Sequence, residues 1–190
     1  MLNADSCLEL LRTRSSVRSY LPDSVESDKI TRCLEAARMS PSACNAQPWT
    51  FVVVEDPIIR KSLAEAASGG LIPMNHFVVQ APVLIAVVCE RPNFSSSLGK
   101  LLKNNDYPLI DNGMAVIQFC LQASAEGLGT CILGWFHEKK VKKLLGIPGN
   151  RRVHLMIALG YPTEDKKPRG KYRKPPEQMS CFNRYYRGKI

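Results

Sequence analysis

The sequence is poor in the groupings that most often announce chemistry. Its three histidines, His76, His137 and His154, stand at no metal-ligand spacing, and its seven cysteines (Cys7, Cys33, Cys44, Cys89, Cys120, Cys131 and Cys181) form no Cys-x-x-Cys pair. Zinc ribbons and paired-thiol redox sites are therefore unsupported, and the cysteines, mostly set in apolar patterns, read as small buried hydrophobes. No Gly-x-Gly-x-x-Gly follows an apolar run and no Gly-Lys-Ser/Thr loop is present, which leaves Rossmann-type dinucleotide binding and P-loop phosphate binding without a signature. No apolar stretch reaches the roughly 20 residues of a membrane-spanning helix. The first residues, Met1 to Cys7, lack the basic-then-apolar order of a secretory leader, so the expected location is the cytoplasm. Acidic side chains are also scarce, with 17 Asp and Glu against 26 Lys and Arg and a net charge of +9.

What is present is the composition of an ordinary globular protein: 190 residues, 45% hydrophobic and 23% charged. That length suits one sizeable core, so residues 1–190 are expected to form a single domain. The positive charge is uneven, because residues 161–190 hold nine Lys and Arg against three acids. Pro162, Pro168, Pro175 and Pro176 argue against a helix there, and residues 160–190 are read as an extended basic arm laid over the surface. Such an arm binds nucleic acid, is simply solvated, or clamps a small anion; the prolines favour the last two.

Along the chain, Cys7, Leu8, Leu10 and Leu11 have helical spacing, and the basic cluster Arg12-Thr13-Arg14-Ser15-Ser16-Val17-Arg18 follows. Arg12 suits a helix C-terminus. Arg14, Ser16 and Arg18 alternate on what reads as extended chain, which puts two guanidiniums and a hydroxyl on one side, a set suited to phosphate or ribityl oxygens. Ser24 or Ser27 is expected to cap a helix whose Ile30, Cys33, Leu34 and Ala37 form a buried face. Thr50 to Glu55 and Val83 to Cys89 read as interior strands, apolar on both faces, and Thr130 to Leu133 and Val153 to Leu159 as further strands. A helix from Pro57 to Ala67 is expected to stop at Gly69-Gly70, and a basic one from Glu138 to Leu145 at Gly146. The helix from Leu109 to Gly127 carries Ile110, Met114, Ile117, Leu121 and Ala125 on one side and Ala115, Phe119 and Ala123 on another. Apolar on several sides, it belongs in the middle of a domain or at a subunit interface. Alternating helices and strands give an α/β or α+β class.

Ser40-Pro41-Ser42-Ala43-Cys44-Asn45-Ala46-Gln47-Pro48-Trp49 stands apart, because it separates a patterned helix from an apolar strand yet contains little that fills a core. Its prolines predict an extended, rigid loop. Ser42, Asn45 and Gln47 both donate and accept, as a flat heteroaromatic ring with alternating carbonyl and N–H groups requires. An ordinary helix-to-strand connection with turn chemistry accounts for the same residues. Cys44 as a nucleophile lacks a base nearby in sequence, and His154 in an apolar strand reads as structural rather than as a ligand.

Pro-Ser-x-x-Asn-x-Gln-Pro-Trp, with Arg14-Ser15-Ser16-Val17-Arg18 upstream and Gly127-Leu128-Gly129-Thr130 downstream, resembles the FMN-dependent nitroreductase family over most of the chain, from about Leu8 to Tyr185. The resemblance implies an α+β fold, a three-layer α/β/α sandwich with a central mixed or antiparallel sheet, in an intertwined homodimer with FMN at the interface. It implies that Arg14, Ser15, Ser16 and Arg18 contact phosphate, ribityl and pyrimidine edge. Pro41, Ser42, Ala43, Asn45 and Gln47 would come from the partner chain. Leu133 and Gly134 would lie with their backbone beside the flavin N5 and carbonyl edge, with Leu133 where many relatives have an acid, a change that leaves a main-chain N–H intact. Lys171 and Arg173, in Lys171-Tyr172-Arg173-Lys174-Pro175, would clamp the phosphate. Trp135, Phe136 and His137 line the substrate side or fill core.

The activity so implied is reduction of a nitroaromatic, quinone or enone acceptor by NAD(P)H through FMN, with no side-chain acid or base demanded and none standing out, and with no metal. A short chain without an evident long insertion between Cys89 and Leu109 favours a broad reductase over a deiodinase or a flavin-destroying enzyme. The alternative is a basic nucleic-acid- or anion-binding module using the arm and Lys139 to Arg152, whose binding would weaken steeply with salt.

Overall fold

The computed structural model describes residues 3–68, 74–90, 106–163 and 172–185. Their elements run α1 (Ala4–Thr13), α2 (Ser27–Arg38), a 3-10 turn (Ala43–Asn45), β1 (Trp49–Val54), α3 (Pro57–Ala67), a second 3-10 turn (His76–Gln80), β2 (Val83–Cys89), α4 (Tyr107–Ala125), β3 (Gly129–Leu133), α5 (Glu138–Leu144), β4 (Arg152–Gly160) and α6 (Pro176–Met179). The class is α+β. The four strands form one antiparallel sheet in the order β1-β2-β4-β3.

Side-chain alternation in the central strands builds two cores, one on each face. Leu84, Ala86 and Val88 of β2 join Met156 and Ala158 of β4 beneath α3 and α5, with Leu63, Ala67 and Val141. Val83, Ile85 and Val87 join Ile157 and Leu159 beneath α2 and α4, with Cys33, Ala115 and Phe119. The result is the expected three-layer sandwich. Because both faces are covered, the central strands are apolar almost throughout, with His154 as the polar exception inside β4.

Several expectations are corrected. The run read as an interior strand from Thr50 is instead β1, at the sheet edge. Periodicity reports burial of faces, and an edge strand roofed on both faces has the same pattern. Neither Ser24 nor Ser27 caps α2. The residue there is Glu26, which makes no capping bond and instead accepts from Tyr161 Oη at 2.6 Å, tying the start of α2 to the end of β4. Asp56 does cap α3, accepting from Ile58 and Ile59 N–H at 2.9 Å each. The Gly69-Gly70 stop lies outside the described residues, as does most of the segment between Cys89 and Leu109. On α4, the stripe beginning at Ile110 turns outward, with Ile110 and Ile117 exposed, whereas Asp111, Asn112, Ala115, Val116, Phe119 and Ala123 are buried. The basic arm contains one helical turn, α6, where the prolines had predicted none. Cys33, Cys120 and Cys131 are buried as expected, but Cys7, Cys44 and Cys181 are exposed. Burial pushes the Cys33 thiol up to about 12, which keeps it protonated and inert.

Candidate functional site

The basic segment after α1 lies along the β3 edge. Ser16 bridges Thr130 in parallel, Val17 N–H donates to Thr130 O at 2.9 Å, and Tyr20 Oη donates to Val17 O at 2.8 Å. Tyr20 is buried, which pushes its phenol up, and its hydroxyl also reaches Ala158 O at 3.3 Å. Close approach here depends on Gly129, because a Cβ at that position would stand 2.7 Å from Val17 Cγ2. Arg14, Ser15 and Ser16 are half-buried and Arg18 exposed. The Arg18 guanidinium lies 5.9 Å from the centroid of Phe77 and reaches Ser16 O at 3.4 Å. Neither arginine has an acidic partner among the described residues, so both cations are open to an anion.

The same edge leads to Leu133 and Gly134. Leu133 is buried and Gly134 exposed, with no atom within 4 Å of where a Cβ would stand. The turn that follows is pinned from α3: Asn75 Nδ2 donates to Trp135 O at 2.8 Å and to Ala67 O at 3.0 Å, and His137 N–H donates to Ala66 O at 2.9 Å. Phe136 packs on the core under α3 and α5, whereas Trp135 is 57% exposed. That divides the two aromatics left undecided by the sequence.

The Ser40 to Trp49 loop sits before β1, at the opposite sheet edge. It is not extended as the prolines predicted. After an extended Ser42 it makes the 3-10 turn with Cys44 at φ 52° and Asn45 at φ 51°, and Gln47 follows at φ 46°. Left-handed backbone costs a non-glycine residue about 1–2 kcal/mol, least for asparagine. Gln47 is further restricted by the proline after it. Two long-range anchors and one local bond hold this shape. The Asp111 carboxylate accepts from Ala43 N–H at 3.2 and 3.3 Å, Asn112 Nδ2 donates to Pro48 O at 2.8 Å and Pro108 O at 2.7 Å, and Ser42 Oγ accepts from Gln47 N–H at 3.0 Å. Sequence reasoning missed Asp111 and Asn112. Two polar residues in succession in a largely apolar helix were the available signal. Asn45 and Gln47 are exposed, and among the described residues their side chains bond only within this pair, Gln47 Nε2 donating to Asn45 Oδ1 at 3.3 Å and Asn45 O at 3.4 Å. Ser40 Oγ is buried and finds no partner among the described residues.

Neighbouring strands lie about 4.8 Å apart, so three steps separate the two edges by about 14 Å. One chain therefore gathers Arg14, Ser16, Arg18, Leu133 and Gly134 on one edge and presents Ser42, Asn45 and Gln47 on the other. Of the arm, Lys171 lies outside the described residues, and Arg173 is exposed. No group of His, Cys, Asp and Glu among the described residues is arranged for a metal. His154 is the extra residue where the β2–β4 register shifts between Val87 and Val88. It is half-buried, and burial followed by the nearby Arg152 guanidinium depresses its pKa.

The nitroreductase family profile matches residues 11–76 and 73–161. The chain belongs to the nitroreductase family, and it is an oxidoreductase. An Archaeoglobus fulgidus relative, whose name offers NADH dehydrogenase or NAD(P)H nitroreductase, is 34% identical over 85% of this chain and 88% of its own. The Helicobacter pylori oxygen-insensitive NADPH nitroreductase is 29% identical over 84% of this chain and 89% of its own. The solved FMN-dependent nitroreductase of Clostridium difficile superposes with a TM-score of 0.75 at 26% identity, covering 94% of this nitroreductase-family chain and 99% of that one. Among the described residues no helix is long and apolar enough to cross a membrane.

Proposed function

We propose that this chain is an FMN-dependent NAD(P)H oxidoreductase that works as a homodimer and reduces a flat organic acceptor of the nitroaromatic, quinone or enone class. The observation that carries the reading is the Ser16–Thr130 bridge, which sets the arginine segment beside β3, the strand that ends at Leu133 just before Gly134. The donor set fits a flavin nucleotide: two guanidiniums without acidic partners among the described residues for a phosphate, hydroxyls of Ser15 and Ser16 for a ribityl chain, and an open glycine backbone where a ring edge can approach. Asn45 Nδ2 and Gln47 Oε1, which bond no described residue, offer a donor and an acceptor suited to a pyrimidine edge. Ser42 and Ala43 shape their loop. Arg173, with Lys171, would add positive charge at the phosphate. When bound, FMN supplies hydride transfer from the nicotinamide donor to the acceptor. The protein binds and orients the ring, favours negative charge on it through cations and amides, and leaves one ring face open.

The opposite-edge placement of the two halves supports a site shared between two chains. So does exposed apolar surface: Leu8 and Leu11 on α1, Leu109, Ile110 and Ile117 on α4, and Tyr172, Met179, Phe182 and Tyr185 in the arm. Among the described residues, no residue of α1 is fully buried, and Leu10 is only half-buried. Large apolar side chains left exposed on three elements are what a second chain would cover. Trp135, exposed on a pinned main chain, is a stacking platform for the acceptor or the nicotinamide.

The test is a visible absorption spectrum followed by nicotinamide oxidation with a nitroaromatic or quinone acceptor. A yellow protein with FMN-dependent turnover is expected. A colourless protein that takes up no added FMN would overturn the reading, and retardation of DNA or RNA that weakens steeply with salt would favour the basic-module alternative.

A further inference from the structure

We propose that Asp111 and Asn112 are positioning residues that hold the Ser42 to Pro48 loop in its flavin-competent shape, so that flavin affinity is set from inside α4 as well as by the groups touching the ring. This rests on the function proposed above. Both side chains are buried, at 3% and 4% exposure, and they grip the two ends of the loop: Asp111 takes Ala43 N–H and Asn112 holds Pro48 O. Between those anchors lie the three left-handed residues Cys44, Asn45 and Gln47. A chain of non-glycine residues leaves such a conformation unless its surroundings over-determine it. The local bond from Gln47 N–H to Ser42 Oγ closes the loop on itself but does not attach it to the protein.

The chemistry of Asp111 points the same way. A carboxylate is an expensive group to bury, and among the described residues it makes no ion pair and satisfies a single backbone N–H. An apolar residue at that helix position would serve the core better. What the carboxylate alone supplies is an acceptor fixed at the start of the loop. Asn112 adds the complement, a donor fixed at its end, and its second bond, to Pro108 O in the preceding helical turn, locks the amide in place. The outward residues Ile110, Gly113 and Ile117 lie on the other side of the same helix. The helix face proposed to meet the second chain and the face gripping the loop thus belong to one rigid rod.

If only a fraction of molecules holds the loop competent, the apparent dissociation constant rises by the inverse of that fraction. Asp111→Ala, and separately Asn112→Ala, should weaken both FMN and riboflavin about tenfold or more, and by equal factors, because the loop serves the ring and not the phosphate. Dissociation constants are read by flavin fluorescence quenching on folded dimeric protein well below its melting temperature. Asp111→Asn, which keeps the volume and one acceptor oxygen, should recover most of the loss; that rescue separates positioning from general destabilisation. Should Asp111→Ala fail to fold, Asp111→Ser replaces it, with a hydroxyl too short to reach Ala43. Wild-type affinity for both flavins in folded Asp111→Ala or Asp111→Ser overturns the proposal. A loss for FMN alone overturns it too, by assigning the effect to the phosphate. A wild-type protein that binds neither flavin removes the proposed function itself and this inference with it.

Discussion

Replacing Gly129 with alanine tests whether the arginine segment is held against β3 as described. The added Cβ would lie 2.7, 2.8 and 2.9 Å from Val17 Cγ2, Cβ and Cγ1. Carbon atoms at ease stand about 3.5–4.0 Å apart, so Val17 must retreat by about 1 Å. It cannot do so freely. Its N–H is bonded to Thr130 O at 2.9 Å and its carbonyl to Tyr20 Oη at 2.8 Å, and each such bond is worth about 1 kcal/mol net. Overpacking of this kind costs about 1–3 kcal/mol. For a protein of this size each kcal/mol moves the melting temperature by about 2–4 °C, which gives a drop of about 2–12 °C. Ser16 and Arg18 flank Val17, so the retreat also displaces the proposed phosphate and ribityl ligands, with about tenfold in FMN affinity lost for each 1.4 kcal/mol felt at the site. Thermal unfolding of the apoprotein and an FMN titration read the two effects. Gly134→Ala is the control, since nothing stands within 4 Å of its Cβ and its stability should stay within about 0.5 kcal/mol of wild type. A Gly129→Ala protein with wild-type melting and wild-type FMN affinity would refute the close packing of Val17 on β3.

Further outcomes are expected. Arg173→Ala should weaken FMN but not riboflavin, by about 2–5 kcal/mol if the guanidinium is desolvated against the phosphate; its exposure in the single chain predicts much less if it remains so, and equal losses for both flavins would exclude a phosphate role. Ile117→Asp, placing charge on the outward face of α4, should shift sedimentation from a dimer toward a 21.2 kDa monomer and release flavin with it, whereas a wild-type monomer loaded with FMN at micromolar concentration contradicts the shared site. Stability should fall on acidification below about pH 6.5, because burial depresses the His154 pKa and the unfolded chain then binds a proton that the folded chain resists. A second loss follows at lower pH, where Glu126, drawn down to about 2 chiefly by its Arg32 partner, loses its charge. Urea midpoints at pH 7.5 and pH 5.5, compared with those of His154→Gln, check the first step: the variant should show the smaller difference.

Much of this protein was legible in its sequence because the information is local. The run from Val83 to Cys89 announces a strand roofed on both faces, and the spacing of Ile30, Cys33 and Ala37 announces the buried side of α2. The motif around Ser42 to Trp49, with Arg14 to Arg18, carries the family. Tertiary structure alone decided which strands lie at the edges, since an apolar period of two records the cover above and below a strand but not its lateral neighbours. It decided that the Ile110 stripe of α4 faces outward, because a helix apolar on several sides does not say which side its own chain will take. It also overrode the extended preference of the prolines: bonds from Asp111 and Asn112, more than sixty residues away in sequence, hold Cys44, Asn45 and Gln47 in left-handed backbone. Local preference cannot foresee a conformation whose cost is met by partners that only the fold brings near.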